Sequence, residues 1–216
     1  MFTRAKEFSF ALHSLTGVFI LKTGRYLPLH FLGFVLCATG SGLLSLLNET
    51  SSRGAWIGYQ IIASGGVGII FTATMPSTLA PLQESDVGVA TATYSFVRSF
   101  GLVWGVTMAS IVFNGQVNTH LHPLHDTAIA DLLKDGAAYA YASGDFVQAL
   151  TPDMKIEVLK VYVQVLSVVW QVIAAVSCLG FFCVFFEKHV ELKKNHVTEY
   201  GLTEHQAVQE DMERKV

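Results

Sequence analysis

Residues 87–113 read VGVATATYSFVRSFGLVWGVTMASIVF, and Arg98 is the one charged side chain among them. A helix crosses the roughly 30 Å of bilayer hydrocarbon with about 20 apolar residues, and this run is longer than that. A cation inside such a span is costly, so an intramembrane arginine is a functional-site candidate by default. Three further runs have the same character, at about 27–47, 55–80 and 158–186. A fifth, Phe8 to Leu21, has about 14 residues, short of a comfortable span. It reads as a helix that has lost its beginning, because Lys22-Thr23-Gly24-Arg25 follows it rather than a small-residue cleavage site. The chain is expected to be an all-α integral membrane protein with four to five transmembrane helices.

Composition agrees. Of 216 residues, 51% are hydrophobic and 14% charged, and mean hydropathy is +0.45. Soluble domains carry about 25% charged residues. The net charge of -3 and the lack of a basic stripe give no footprint for nucleic acid. Cys37, Cys178 and Cys183 all lie in apolar runs, where an odd count of thiols packs as small hydrophobes rather than as a disulfide framework. No CxxC pair, P-loop, nucleophile elbow or H-E-x-x-H is present, so no metal, cofactor or catalytic cluster is expected.

The predicted organisation is a transmembrane region over 1–186 and a charged cytoplasmic tail over 187–216. Helices are expected at about 8–21 (partial), 27–47, 55–79, 87–113 and 158–186, with an outer amphiphilic segment at 114–157. Pro28 suits a first helical turn, and Pro76 is expected to kink or end the third helix. Within the outer segment, Asp126 is placed as the cap of a short helix that Gly136 ends, and a second short helix is expected around 137–150. Thr151-Pro152 reads as a cap and first position opening the last helix. Lys22, Arg25, Lys188, Lys193 and Lys194 outnumber Arg53, Lys134 and Lys155 on the opposite side, so the tail is expected in the cytoplasm. Asn48-Glu49-Thr50 is then an outward-facing sequon and a glycosylation candidate, hindered by its closeness to the membrane.

Arg98 has two readings. A span beginning at Val87 buries it deeply; one beginning near Ser95 lets it snorkel to the inner surface. Tyr59, Gln60 and Tyr94 are further polar candidates for substrate or coupling contacts, with interhelical hydrogen bonding as the plain alternative. Gln164 and Gln171 fall under that alternative. No carboxylate lies inside any span, so a titratable coupling group is expected elsewhere. Gly65, Gly66 and Gly68, and the G-x-x-x-G of Gly101 and Gly105, are expected to pack helices closely. His120, His122 and His125 have the residue type for a metal, but Pro123 among them favours an exposed loop.

The stretch from Gly17 through Gly24 and Arg25 to Leu29 resembles the loop signature of the major facilitator superfamily, with Leu21 where an acidic residue is usual. Trp56–Ile62, Ala80–Thr93, Val97–Gly101, Trp104–Val106, Gly136–Tyr139 and Val169–Gln171 are similar to the last helices of fungal fourteen-helix drug:proton antiporters. The resemblance covers about Gly17 to Gly201. It implies a partial second half of a major facilitator fold, exporting a small organic molecule such as a toxin or secondary metabolite through the plasma membrane, with proton coupling. The implied partners are the lipid bilayer, the small-molecule substrate and either a missing N-terminal half or a second copy. The alternative is an inactive remnant or accessory membrane subunit. A small membrane enzyme is the third reading, with Tyr139, Tyr141 and the histidines as poor candidates for its chemistry.

Overall fold

The computed structural model describes residues 16–18, 20, 22–121, 127–188 and 190. Four long helices dominate: α1 (Leu27–Ser45), α2 (Arg53–Leu79), α3 (Val87–His120) and, after two short ones, α6 (Pro152–Val184). The short helices are α4 (Thr127–Leu133) and α5 (Gly144–Ala149). Each long helix is long and apolar enough to cross a membrane. No strand occurs among the described residues. Most of the helix expected at 8–21, His122 and His125, Asp126, and the tail from 191 onward lie outside the described residues.

Local chemistry sets the boundaries. Gly24 adopts φ 67 and its N–H donates to the Ile20 carbonyl at 2.8 Å, a left-handed stop that only glycine takes without strain. Pro28 occupies the first turn of α1. The Asn48 carboxamide oxygen accepts from the Thr50 N–H (3.1 Å) and from the Thr50 and Ser51 hydroxyls (2.8 and 3.0 Å), making the tight turn to α2. Ser52 then caps α2 by accepting from the Ala55 N–H at 3.1 Å. Pro76 does not end α2, which runs three residues further, to Leu79. Gly136, at φ 91, follows α4 as expected, while the second short helix is split into a 3-10 turn at Ala137–Tyr139 and α5. Thr151 and Pro152 open α6, although the Thr151 side chain makes no capping bond.

Two boundaries differ from the apolar runs. α3 passes Phe113 and ends at His120, and α6 begins at Pro152 rather than 158. Both extensions are held by one core: Phe113 and Val117 of α3 and Leu121, which caps it, recur every fourth residue and pack with Val158, Val161, Tyr162, Val165 and Val169 of α6. Leu133 and Ala138 close that core from the segment between α3 and α6, and the Tyr162 hydroxyl donates to the buried Ala138 carbonyl at 2.7 Å. The two ends of the segment expected to be amphiphilic therefore belong to the long helices. Hydropathy marks where lipid stops, not where a helix stops.

The long helices alternate in direction. α1 packs against α2, with Gly33 facing Ile70 and Gly40 facing Ala63. It packs against α6 from Phe31, which meets Phe181 and Phe185 edge-on at 5.5 and 5.0 Å, to Ser45, whose carbonyl accepts from the Ser167 hydroxyl at 2.6 Å. α3 touches α6 through its C-terminal turns and α2 through its N-terminal half. The start of α1, the turn at 80–86 and the end of α6 thus share one end of the bundle.

Candidate functional site

Between α2 and α3 lies a groove of about 630 Å³ lined by Phe71, Thr74 and Thr78 on one wall and Ala90, Thr93, Tyr94, Val97 and Arg98 on the other. The Arg98 guanidinium lies 3.7 Å from the centre of the Phe71 ring, a cation–π contact. No carboxylate lies within ion-pair distance of Arg98 among the described residues. The hydroxyls of the groove are turned to their own helices: Thr74 donates to the Ile70 carbonyl (2.6 Å), Thr78 to Thr74 (2.8 Å) and Thr93 to Val89 (2.9 Å). Arg98 and the Tyr94 phenol are thus the polar groups of the groove left to meet a ligand.

Depth follows from helix geometry. At 1.5 Å per residue, Arg98 lies about 17 Å along α3 from Val87. Its partner Phe71 lies about 12 Å along α2 from Leu79. A hydrocarbon layer of roughly 30 Å that began at the 80–86 turn would have the guanidinium near its centre, and one that began further along α3 would have it nearer a surface.

The other sequence-derived candidates sit elsewhere. Tyr59 is half-buried and Gln60 exposed, about 18 Å along α2 from Phe71, so they do not join Arg98. Gln164 and Gln171 are exposed on α6. Gly65, Gly66 and Gly68 are buried, and a Cβ on Gly66 would lie 2.6 Å from the Cys37 nitrogen. By contrast, a Cβ on Gly101 or Gly105 would meet nothing within 4 Å among the described residues. Gly17 is equally open, and Arg25 is exposed beside the Gly24 turn. Asn48 is exposed. His120 spends its Nδ1 on the Gln116 carbonyl at 2.9 Å. Outside the spans, Asp131 bonds Lys134 at 2.6 Å and pushes its ammonium above the usual range, by hydrogen bond first and by charge second.

The sequence reading missed His30. It is 5% exposed on α1, and its Nδ1 lies 2.7 Å from the Glu187 carboxylate beyond α6. A histidine within an apolar run was a legible signal, but the partner that gives it meaning lies 157 positions away.

Comparison with known proteins supplies the family. The chain is 44% identical over 190 residues to the efflux pump FUS6 of Gibberella fujikuroi, covering 87% of this chain and 34% of that protein. It is 42% identical over 192 residues to the MFS-type efflux pump LUC4 of a Fusarium species, covering 88% and 34%. It is 39% identical over 186 residues to the MFS efflux transporter aclA of Aspergillus oryzae, covering 86% and 34%. The chain belongs to the major facilitator superfamily. It spans about a third of the length of these relatives, and so represents part of a major facilitator fold. With four apolar helices it is a multi-pass membrane protein. No protein-family model matches it, and no solved structure does.

Proposed function

We propose that the chain forms the C-terminal portion of a secondary carrier that exports a small organic molecule, such as a secondary metabolite or toxin, across the plasma membrane with proton coupling. The observation that carries this reading is the groove between α2 and α3 with Arg98 and Tyr94 on its wall, which the reading puts at mid-membrane depth. Carriers of this superfamily bind substrate near the midplane, between two halves that rock against each other. An arginine there would recognise an anionic or strongly polar group on the substrate, and Phe71 and Tyr94 its aromatic or apolar body. The relatives named as efflux pumps support export as the direction.

The opposite wall of such a site comes, in this reading, from further helices of a longer carrier or from a second copy. The outward face of α3 supports this. Phe96, Phe100, Val103 and Trp104 are more than half exposed there, alongside Gly101 and Gly105. The shared end that holds Lys22, Arg25 and Lys188 is the cytoplasmic one by the positive-inside rule. Asn48 then faces outward as the glycosylation candidate.

The test is to insert this chain in place of the matching third of the Gibberella fujikuroi efflux pump and to measure export of a labelled toxin panel, with and without a protonophore. Export abolished by the protonophore is expected, and Arg98→Ala should lower it about tenfold or more, the loss of roughly 1.4 kcal/mol of binding. Stable insertion without export would favour a non-transporting remnant or accessory subunit. Undiminished export by the Arg98→Ala form would remove Arg98 from the site. Export by the chain expressed alone would mean that a second copy supplies the opposite wall, and none would mean that further helices of a longer carrier do.

A further inference from the structure

We propose that a second groove, between the end of α1, the start of α2 and the middle of α6, binds a membrane phospholipid, with the phosphate on Arg53 and an acyl chain along Trp56, Leu166 and Trp170. The inference is independent of the transport reading. This groove lies at the end of the bundle away from the 80–86 turn and has a volume of about 320 Å³, within the range of small-molecule sites. Its rim is polar, made by Asn48, Ser51, Ser52 and Arg53, and its walls carry Trp56 of α2 and Leu166 and Trp170 of α6. Trp56 is 44% and Leu166 42% exposed, so the groove is open along its side rather than enclosed.

The rim leaves one charge to be met. The Ser51 hydroxyl donates to the Asn48 carboxamide oxygen (3.0 Å) and accepts from the Asn48 N–H (2.9 Å). Ser52 accepts from the Ala55 N–H, and the Ser167 hydroxyl on the α6 wall donates to the Ser45 carbonyl. The Arg53 guanidinium makes no hydrogen bond or ion pair among the described residues. Glu49 in the turn and Glu157 on α6 do not line the groove. Lys160 adds a second cation nearby. It is exposed and lies 3, 7 and 10 positions before Val163, Ser167 and Trp170, on the same stripe of α6. At 1.5 Å per residue it is about 10 Å from Ser167, towards the same end of the bundle as Arg53.

Position and chemistry together select the ligand. Irregular backbone facing lipid is not tolerated within the hydrocarbon, so the turn between two spanning helices lies at a membrane surface. Arg53 opens α2 directly after that turn, at the level of lipid headgroups. Trp56 follows about 4.5 Å along the helix, the region where tryptophan is enriched. The ligand that fits has an anion at one end and an apolar body at the other. A guanidinium matches a phosphate in bidentate geometry. A free phosphate would meet Arg53 and leave the tryptophan and leucine walls bare. A diacylglycerol would cover those walls and leave the cation unmet. A phospholipid satisfies both.

The experiment is photolabelling of the full chain in dodecyl maltoside micelles with phosphatidylglycerol carrying a diazirine in one acyl chain, the labelled peptides being mapped by mass spectrometry. Labelling concentrated at residues 44–56 and 163–170 is expected, and unlabelled phosphatidylglycerol should compete it away. Arg53→Gln should lower it about tenfold, as the loss of a charge-assisted hydrogen bond does, while Arg53→Lys keeps most of it and labelling of α3 stays the same in both. Diacylglycerol with the same diazirine chain should label the two stretches about tenfold less than the phospholipid. Equal labelling by diacylglycerol, or labelling unchanged in Arg53→Gln, overturns the proposal. Competition by glycerol phosphate would make this a site for small phosphates instead, and loss of the labelling in the carrier chimera would mean that further helices cover the groove; either outcome also overturns it. If Arg53→Gln melts at a lower temperature than the unsubstituted chain, the contrast between phospholipid and diacylglycerol in the unsubstituted chain decides.

Discussion

The pairing of α1 with α2 and the position of α3 show two different ways for glycine to sit in a membrane helix. Where α1 meets α2, a Cβ on Gly40 would lie 2.5 Å from the Ala63 nitrogen, and one on Gly33 2.7 Å from the Ile70 side chain. The helices are so close that only glycine fits. On α3, Gly101 and Gly105 lie at the spacing of the familiar packing motif, yet both face open space. Apolar burial gives no drive between helices in lipid, so close packing depends on matching surfaces rather than on the spacing of small residues. The first pair has its matching surface inside this chain. The second has none among the described residues, which fits a face kept for something that these residues do not include.

The sharpest way to break this comparison is Gly40→Leu. Its side chain would enter the backbone of α2, and overpacking of this kind costs about 3 kcal/mol. Loss of the folded fraction in detergent, or a large drop in melting temperature, is expected; normal yield and melting would mean that α1 and α2 are not in contact as described. Tyr162→Phe probes the core that holds α3 to α6. Removing its hydroxyl leaves the Ala138 carbonyl buried without that donor, at about 1 kcal/mol. A melting temperature equal to wild type would show that the segment between α3 and α6 is not anchored there. Gly101→Leu is the smallest expected effect. In this chain alone it should change stability by less than about 0.5 kcal/mol, as at an open surface position. The same substitution within the carrier chimera is expected to impair assembly, since the face is then covered. A large loss in the isolated chain would mean that α3 packs through that face already.

The candidate site was legible in halves. Arg98 stood out because an apolar run should contain no cation, and Tyr94 lies one turn before it. What could not be read was Phe71, the aromatic face on which the guanidinium rests, because it belongs to another helix whose register against α3 is not written in either run. Tyr59 and Gln60 have similar chemistry but lie about 18 Å along α2 from Phe71, at another height from Arg98. His30 was plain in the sequence, but no pattern pointed from it to Glu187.

Hydropathy and the alternation of spans, with turn chemistry at Gly24, Asn48 and Thr151-Pro152, determined by themselves that four apolar helices cross in alternating directions. These are local properties: each depends on a side chain's transfer into lipid or on hydrogen bonds within a few residues. Tertiary structure alone decided which glycines are pressed against a neighbour, that α3 and α6 extend past their apolar runs onto a shared core, that Arg98 meets Phe71, and that His30 finds a carboxylate. In lipid every helix face is equally free of water, so pairing is chosen by shape and by rare polar contacts between distant segments, and neither is visible one residue at a time.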